Sequence, residues 1–432
     1  MLRIRIGLLI ATFLMIGFSC NQQPSEDAVE TTQIQIKKEV TAKDILGNPA
    51  YQAISYGGYR QNTREIQPTV EEVKEDMKVL FAMGIRILRT YNTKLRHATT
   101  VLEAIHELKQ EDSNFEMYMM VGAWIDCAGA WTDHPNHEVE SVDANAGEIE
   151  RAVEMANKYP DIVKVIAVGN EAMVKWAASY FVQPWVILKW VNHLQELKKM
   201  DKLPKDLWVT SSDNFASWGG GDTVYHAPDL EALMKAVDYI SLHTYPMHDT
   251  HYNPNFWGTL EQEVLLSDEE KMEKAILRAK EYAMSQYQNT VNYMKSLGID
   301  KPVHIGETGW ASSSNGFYGD NGSRATDEYK EALYHQYMRE WTNKEGISCF
   351  YFEAFDEIWK DAQNSGGSEN HFGLFTIDGQ AKYALWDLVD KGVFEGLTRG
   401  DKTIGKTFNG DKEALLKEVK TPPIKAELIG QY

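Results

Sequence analysis

Short apolar runs recur along this chain at intervals that leave room for a helix between them. In the first half they are AISYGG from Ala53, IRILRTY from Ile85, MYMMVGAW from Met117 and VKVIAVGNE from Val163. In the second half come LWVTSSD from Leu207, YISLHTYP from Tyr239, PVHIGETGW from Pro302 and SCFYFEAFD from Ser348. Between the runs the period changes to that of helices. Thr69 and Glu72 have the spacing of a capping box, after which Val70, Val73, Met77 and Leu80 share one face until Gly84 stops the helix. Ser267 and Glu270 repeat the signal ahead of a long helix ending near Gly298. Segments 142–158, 183–199 and 323–344 read as helices too, the second with Trp185, Leu188 and Val191 along one stripe. Eight alternations of strand and helix predict an α/β protein whose parallel sheet closes as a (β/α)8 TIM barrel, in a single catalytic domain. Gly57-Gly58 after the first run lacks the further glycines of a dinucleotide fingerprint, which argues against a nucleotide enzyme.

The ends of the chain read differently. Arg3 and Arg5 precede an apolar run from Ile6 to Phe18, too short for a comfortable membrane span and suited to a signal peptide over residues 1–19. Ser19-Cys20 resembles the cleavage and lipidation junction of bacterial lipoproteins, with Gly17 and Phe18 departing from its usual pattern; a plain secretory signal is the alternative. Cys20 is therefore the expected lipidation site, followed by a polar tether to residue 43, the barrel over 44–397 and a polar tail over 398–432. The expected location is the cell envelope, as an outer-membrane lipoprotein, or secretion if Cys20 is not acylated.

Composition narrows the partners. The 432 residues are 43% hydrophobic and 11% aromatic, ample for a large core, and carry a formal charge of −19, which repels nucleic acid and favours a neutral substrate. The remaining cysteines, Cys127 and Cys349, could pair but read better as separate buried thiols. No cofactor is implied and no metal motif is present, and a monomer is expected. His248, His251 and Asp249 could in principle hold an ion, but the surrounding stretch 247–268 also carries Tyr252, Phe256 and Trp257, which suits sugar contact or loop packing better.

Two carboxylates stand where chemistry could use them. Glu171 ends VIAVGNE and Glu307 ends VHIGE, each a strand that is apolar until it presents an acid at the rim of the sheet. Asn170 adds an amide beside the first, and Trp310 a flat apolar face near the second. In a barrel all strand C-termini open on one face, which would bring the fourth and seventh strands' glutamates together as a general acid and nucleophile pair.

The runs VGNE (168–171), GETGW (306–310), YFEAFDEIWK (351–360) and HFGLF (371–375) together resemble glycoside hydrolase family 17, the β-1,3-glucanases and related glucanosyltransferases, over about residues 50–390. The resemblance implies Glu171 as general acid/base, Asn170 as a grip on the sugar 2-hydroxyl, Glu307 as nucleophile, and Tyr245 and Arg89 as its supports. It also implies substrate-binding roles for Tyr56, Tyr91 and Phe372, which could equally be core aromatics, and for Glu357 and Lys360, which could equally form a structural salt bridge. Trp257 and Trp310 are read as further sugar contacts. His243 stands where the family often has Asn in an Asn-x-Tyr-Pro run, which puts that sugar contact in doubt. The expected function is a retaining endo-β-1,3-glucanase acting on laminarin-type β-1,3-glucan and tethered to membrane by lipid. A β-1,3-glucanosyltransferase and a non-catalytic glycan-binding lipoprotein are the alternatives.

Overall fold

The computed structural model describes residues 39–429. The expected signal peptide, Cys20 and most of the tether lie outside the described residues. Within them, eight strands form a closed parallel barrel: β1 (Gln52–Ser55), β2 (Ile85–Arg89), β3 (Tyr118–Ala123), β4 (Val163–Asn170), β5 (Trp208–Asn214), β6 (Ile240–His243), β7 (Val303–Gly309) and β8 (Cys349–Phe352). Neighbours in sequence are neighbours in the barrel, and Ala53 pairing with Phe350 closes it. All eight fall on the apolar runs.

Side chains alternate between two cores. Ala53, Ile87, Met120, Val165, Ala167 and Phe350 fill the barrel interior, whereas Ile54, Leu88, Val121, Ile166 and Val168 face the helices. The interior cluster also takes in Ala42, Ile45 and Leu46 from a short helix, Ala42–Ile45, capped by Thr41 and Asp44. These apolar side chains, which lie on either side of the expected boundary at 44, are drawn into the barrel together with Val40.

The outer helices follow their sequence signals. Helix α1 (Val70–Ala82) has the Thr69–Glu72 capping box and ends before Gly84; α2 is His97–Glu111 and α3 Val142–Lys158. In α4 (Pro184–Lys199) the buried stripe is Ile187, Trp190, Val191 and Leu194; the expected Trp185 and Leu188 only flank it. Helix α5 is Pro228–Ala236, and α6 (Asp268–Ser296) carries the Ser267–Glu270 box. Helix α7 (Glu328–Glu345) starts five residues later than the periodicity predicted, because Asp327 caps it by accepting the Lys330 N–H at 2.8 Å. Cys127 and Cys349 are separate buried thiols. Among the described residues no helix is long and apolar enough to cross a membrane.

The described part of the expected tail is bound to the barrel. Arg399 is buried, its Nε donating to Asp76 Oδ1 at 2.9 Å, and Asp76 is also held by Arg60 at 3.1 Å. Thr259 donates its N–H to the Pro423 carbonyl at 2.8 Å. A long polar segment can stay docked in this way because its few charged groups find buried partners. Removing one partner of such a pair leaves a desolvated charge, so Arg399→Ala should lower stability by roughly 3 kcal/mol. An unchanged urea midpoint would show that this segment does not hold the barrel.

Candidate active site

The C-terminal ends of the strands open into a cleft of about 1610 Å³. At its floor, β4 turns sharply. Gly169 sits at φ +83°, where a Cβ would lie 2.9 Å from Ala172 Cβ and 3.1 Å from Ile187 Cδ1. Two residues on, Glu171 holds φ +47°, a left-handed conformation that costs a non-glycine residue on the order of 1–3 kcal/mol. Its N–H is tied to the Ser212 carbonyl at 2.9 Å. The backbone therefore aims this carboxylate into the cleft rather than along the strand.

Glu307 lies inside β7, in register with His243 of β6, and is almost fully buried. Arg89, at the end of β2, pairs with its Oε1 and donates to the Gly306 carbonyl at 3.1 Å and to Asn170 Oδ1 at 2.5 Å. Tyr245 donates its hydroxyl to Glu307 Oε2 at 2.9 Å. His243 Nδ1 is 3.2 Å from Glu171 Oε1 and 3.4 Å from Glu307 Oε2, so this nitrogen carries a hydrogen and points it between the two acids. Its Nε2 pairs with Ser212 Oγ at 2.7 Å, which in turn meets Ser241 Oγ at 2.8 Å. These hydroxyls explain the glycine of the GETGW run: a Cβ on Gly306 would fall 2.1 Å from Ser241 Oγ.

One oxygen of Glu171, one of Glu307 and one ring nitrogen of His243 all lie within 4.8 Å of one another. The donor types resemble a metal site, but a guanidinium already compensates Glu307 and works against a cation at the same carboxylate. Burial pushes the Glu307 pKa up; the Arg89 charge, then His243 and the Tyr91 and Tyr245 side chains, outweigh it and hold the acid down at about 2. It is thus anionic wherever the protein is folded under ordinary conditions.

The other residues singled out in the sequence divide. Tyr91 is half-buried and lines the cleft, with the Arg89 guanidinium 4.7 Å from its ring centre. Tyr56 and Phe372 border the cleft but are fully buried; the Tyr56 hydroxyl donates to Asp76 at 3.0 Å, and Phe372 packs edge-on to Tyr245. Neither offers a face to a sugar. Trp257 and Trp310 are corrected in the same way: both are fully buried, pack against each other with ring centres 5.5 Å apart and planes tilted by 46°, and donate their indole N–H groups to the Ser323 and Ala325 carbonyls, each at 2.7 Å. Large rings next to the strand ends satisfy both packing and hydrogen bonding beneath the cleft, so they do not wall it. Glu357 accepts from the Tyr59 N–H and the Trp359 indole, both at 3.1 Å, and lies 3.3 Å from Lys360 Nζ, which also donates to Glu353 at 2.5 Å. That is the salt-bridge arrangement. His248, which lines the cleft, approaches Glu369 at 3.5 Å and His251 stacks on Phe317 at 4.1 Å, so both pack this loop against the connections after β7 and β8.

Asp213 was missed. It lies one residue before the end of β5 and follows Thr210-Ser211-Ser212, so no apolar run leads up to it in the sequence. Its carboxyl accepts the Met173 N–H and the Ser217 hydroxyl, each at 2.7 Å, and is pushed up to about 7, chiefly by burial. It braces the turn that carries Glu171. The aromatic residues Trp124, Trp131, Trp176 and Trp359 also line the cleft and were not singled out: Trp131 and Trp176 sit in connections without strand or helix periodicity, while Trp124 closes the MYMMVGAW run and Trp359 falls in YFEAFDEIWK, where nothing local tells a cleft ring from a packed one.

Residues 53–373 match the BtgE/BtgC glycoside hydrolase domain. This chain belongs to that family of glycoside hydrolases. Glucan endo-1,3-beta-glucosidase btgC of Emericella nidulans is 24% identical over 319 residues, 71% of this chain and 40% of its own length. The chain spans about two fifths of the length of such btgC relatives. Among solved structures, an endo-laminarinase from Formosa Hel1_33_131 is 70% identical with a TM-score of 0.88, over 89% of this chain and 98% of that one. An active-site mutant of Rhizomucor miehei beta-1,3-glucanosyltransferase, in complex with laminaritriose, shares the fold at 23% identity and a TM-score of 0.53, over 78% of this chain and 96% of that one.

The depressed Glu307 pKa links the site to acid stability. Its unfolded value is near 4.5 and its folded value lower, so the stabilisation is fully present above pH 4.5 and is lost as pH falls toward about 2. Glu307→Gln cannot titrate and leaves Arg89 uncompensated. The variant should be less stable than wild type at neutral pH, and the gap should narrow across this window in urea unfolding. A constant gap would mean that Glu307 is not held anionic by its surroundings.

Proposed function

We propose that this chain is a retaining endo-β-1,3-glucanase that hydrolyses laminarin-type β-1,3-glucan, with Glu307 as nucleophile and Glu171 as general acid/base. The observation that carries the mechanism is the approach of the two carboxylates, oxygen atoms within 4.8 Å. Retention requires the two groups about 5 Å apart, whereas inversion needs room for a water between acid and sugar. The 70% identity to an endo-laminarinase supports the substrate.

The neighbours fit these roles. Arg89 and Tyr245 hold the Glu307 charge that attacks the anomeric carbon, while protonated Glu171 donates to the departing glycosidic oxygen. The glycosyl ester that forms is then cleaved by water, which Glu171 deprotonates as a base. Asn170 spends its carbonyl oxygen on Arg89, leaving its amide N–H groups for the sugar 2-hydroxyl. His243 stands between the acids rather than against a sugar, and its shared hydrogen bond favours Glu307 as an anion.

Glu307→Gln should abolish turnover of laminarin while leaving its binding intact, because the isosteric amide removes the nucleophile and not the cleft. Proton NMR of the first products from unbranched β-1,3-glucan should show the β-anomer; an initial α-anomer would sink the mechanism. Products longer than the substrate would favour the glucanosyltransferase reading, and binding without cleavage by wild type the non-catalytic one.

The N-terminal pattern supports anchoring to an outer membrane through a lipid on Cys20. Cys20→Ser should then move the protein from the detergent phase to the aqueous phase, since an acylated cysteine carries the membrane affinity. Unchanged partitioning would remove the anchor.

A further inference from the structure

The connections after β3 and β4 set a row of aromatic rings along one side of the cleft. Trp124 follows β3, and Trp131 lies in the turn of a hairpin whose arms, Cys127–Ala128 and Asn136–Glu140, pair antiparallel. Tyr180 and Trp176 come from the segment after Glu171. Trp131 stacks on Tyr180 at 4.9 Å and 20°, and Trp124 lies 5.1 Å from the same ring.

This row is built rigidly. The Trp131 N–H donates to the Ser179 carbonyl at 2.9 Å and the Cys127 N–H to the Tyr180 carbonyl at 3.1 Å, so hairpin and segment are sewn together. Asp126 accepts the Trp124 indole N–H at 2.7 Å, and Glu140 at the hairpin base accepts that of Trp190 at 2.9 Å. Despite this scaffolding Trp131 is 59% exposed and Trp176 64%. Trp131 also stands at φ +64°, a strained conformation for a bulky residue that glycine would adopt freely. Strain and exposure together, on a fixed scaffold, mark a ring kept for a partner.

The partner must be continuous with the cleft, since Trp124, Trp131 and Trp176 all line it. At its inner end Tyr180 feels the charges of Glu171 and Glu307, which, after burial, push its phenol upward. The row therefore shares one cleft with the catalytic pair, since Glu171 and Glu307 line it as well. We propose that Trp131, stacked on Tyr180, forms with Trp176 an outlying platform for the part of a β-1,3-glucan chain that extends beyond the catalytic pair, so that long chains are held better than short ones. The inference rests on the glucanase reading. Flat indole faces suit the C–H faces of neutral pyranose rings, and a preformed platform loses little entropy on binding.

Trp131→Gly tests this, because it deletes the ring while relieving the strained backbone. The KM for laminarin should rise about fivefold with kcat unchanged, the KM for laminaritriose should stay put, and the melting temperature should not fall. Trp176→Ala should move the laminarin KM in the same direction. An unchanged laminarin KM, an equal rise for both substrates, or a lower melting temperature without kinetic effect would overturn the platform while leaving the glucanase standing. Wild-type protein that neither binds nor cleaves laminarin would instead overturn the glucanase reading and the platform with it.

Discussion

The buried contact between Arg89 and Glu307 is the constraint around which the mouth of the barrel is organised. A guanidinium and a carboxylate this deep are tolerated only as partners, with further hydrogen bonds around them. Tyr245 takes the second oxygen of Glu307, and the two terminal nitrogens of Arg89 also reach the Gly306 carbonyl and Asn170. Strands β2, β4 and β7 and the connection after β6 are thereby joined across the barrel by one charged cluster, and the acid in the middle stays ionised.

His243 extends that cluster to the other acid. Its ring is held on one side by Ser212 and Ser241, and Gly306 is the residue that leaves room for those hydroxyls. Glu171 meets this nitrogen only because Gly169 and its own left-handed backbone turn it inward, with Asp213 bracing the turn. A reaction that needs one carboxylate ionised and another able to carry a proton asks for this asymmetry: one acid buried against a cation, the other at the cleft surface. The barrel supplies the frame, but the asymmetry comes from a handful of polar contacts at its rim.

Aromatic residues serve two ends in the same region. Trp257, Trp310, Tyr56 and Phe372 are consumed in packing under the cleft, where their size fills the space between strand ends and loops. Trp131 and Trp176 remain open to solvent on connections that are pinned by backbone hydrogen bonds. Proximity to a catalytic motif in sequence therefore says little about which ring a substrate meets.

The periodicity of the chain by itself determined the eight strands, their order and the capped helices, because strand and helix periods and capping boxes are local signals. It also marked Glu171 and Glu307, since an acid behind an apolar run is visible in one dimension. Asp213, behind Thr210-Ser211-Ser212, carries no such signal. What only the tertiary structure decided was which side chains face which way at the rim. Whether Trp310 points into the cleft or beneath it depends on Trp257 and the Ala325 carbonyl, far away in sequence. The docking of residues 398–429 likewise depends on Asp76, whose burial no local pattern announces. His243 read as a departure from a sugar-binding pattern, and became the bridge between the acids only when β4, β5 and β7 closed around it, because hydrogen bonds between strands are set by register and not by composition.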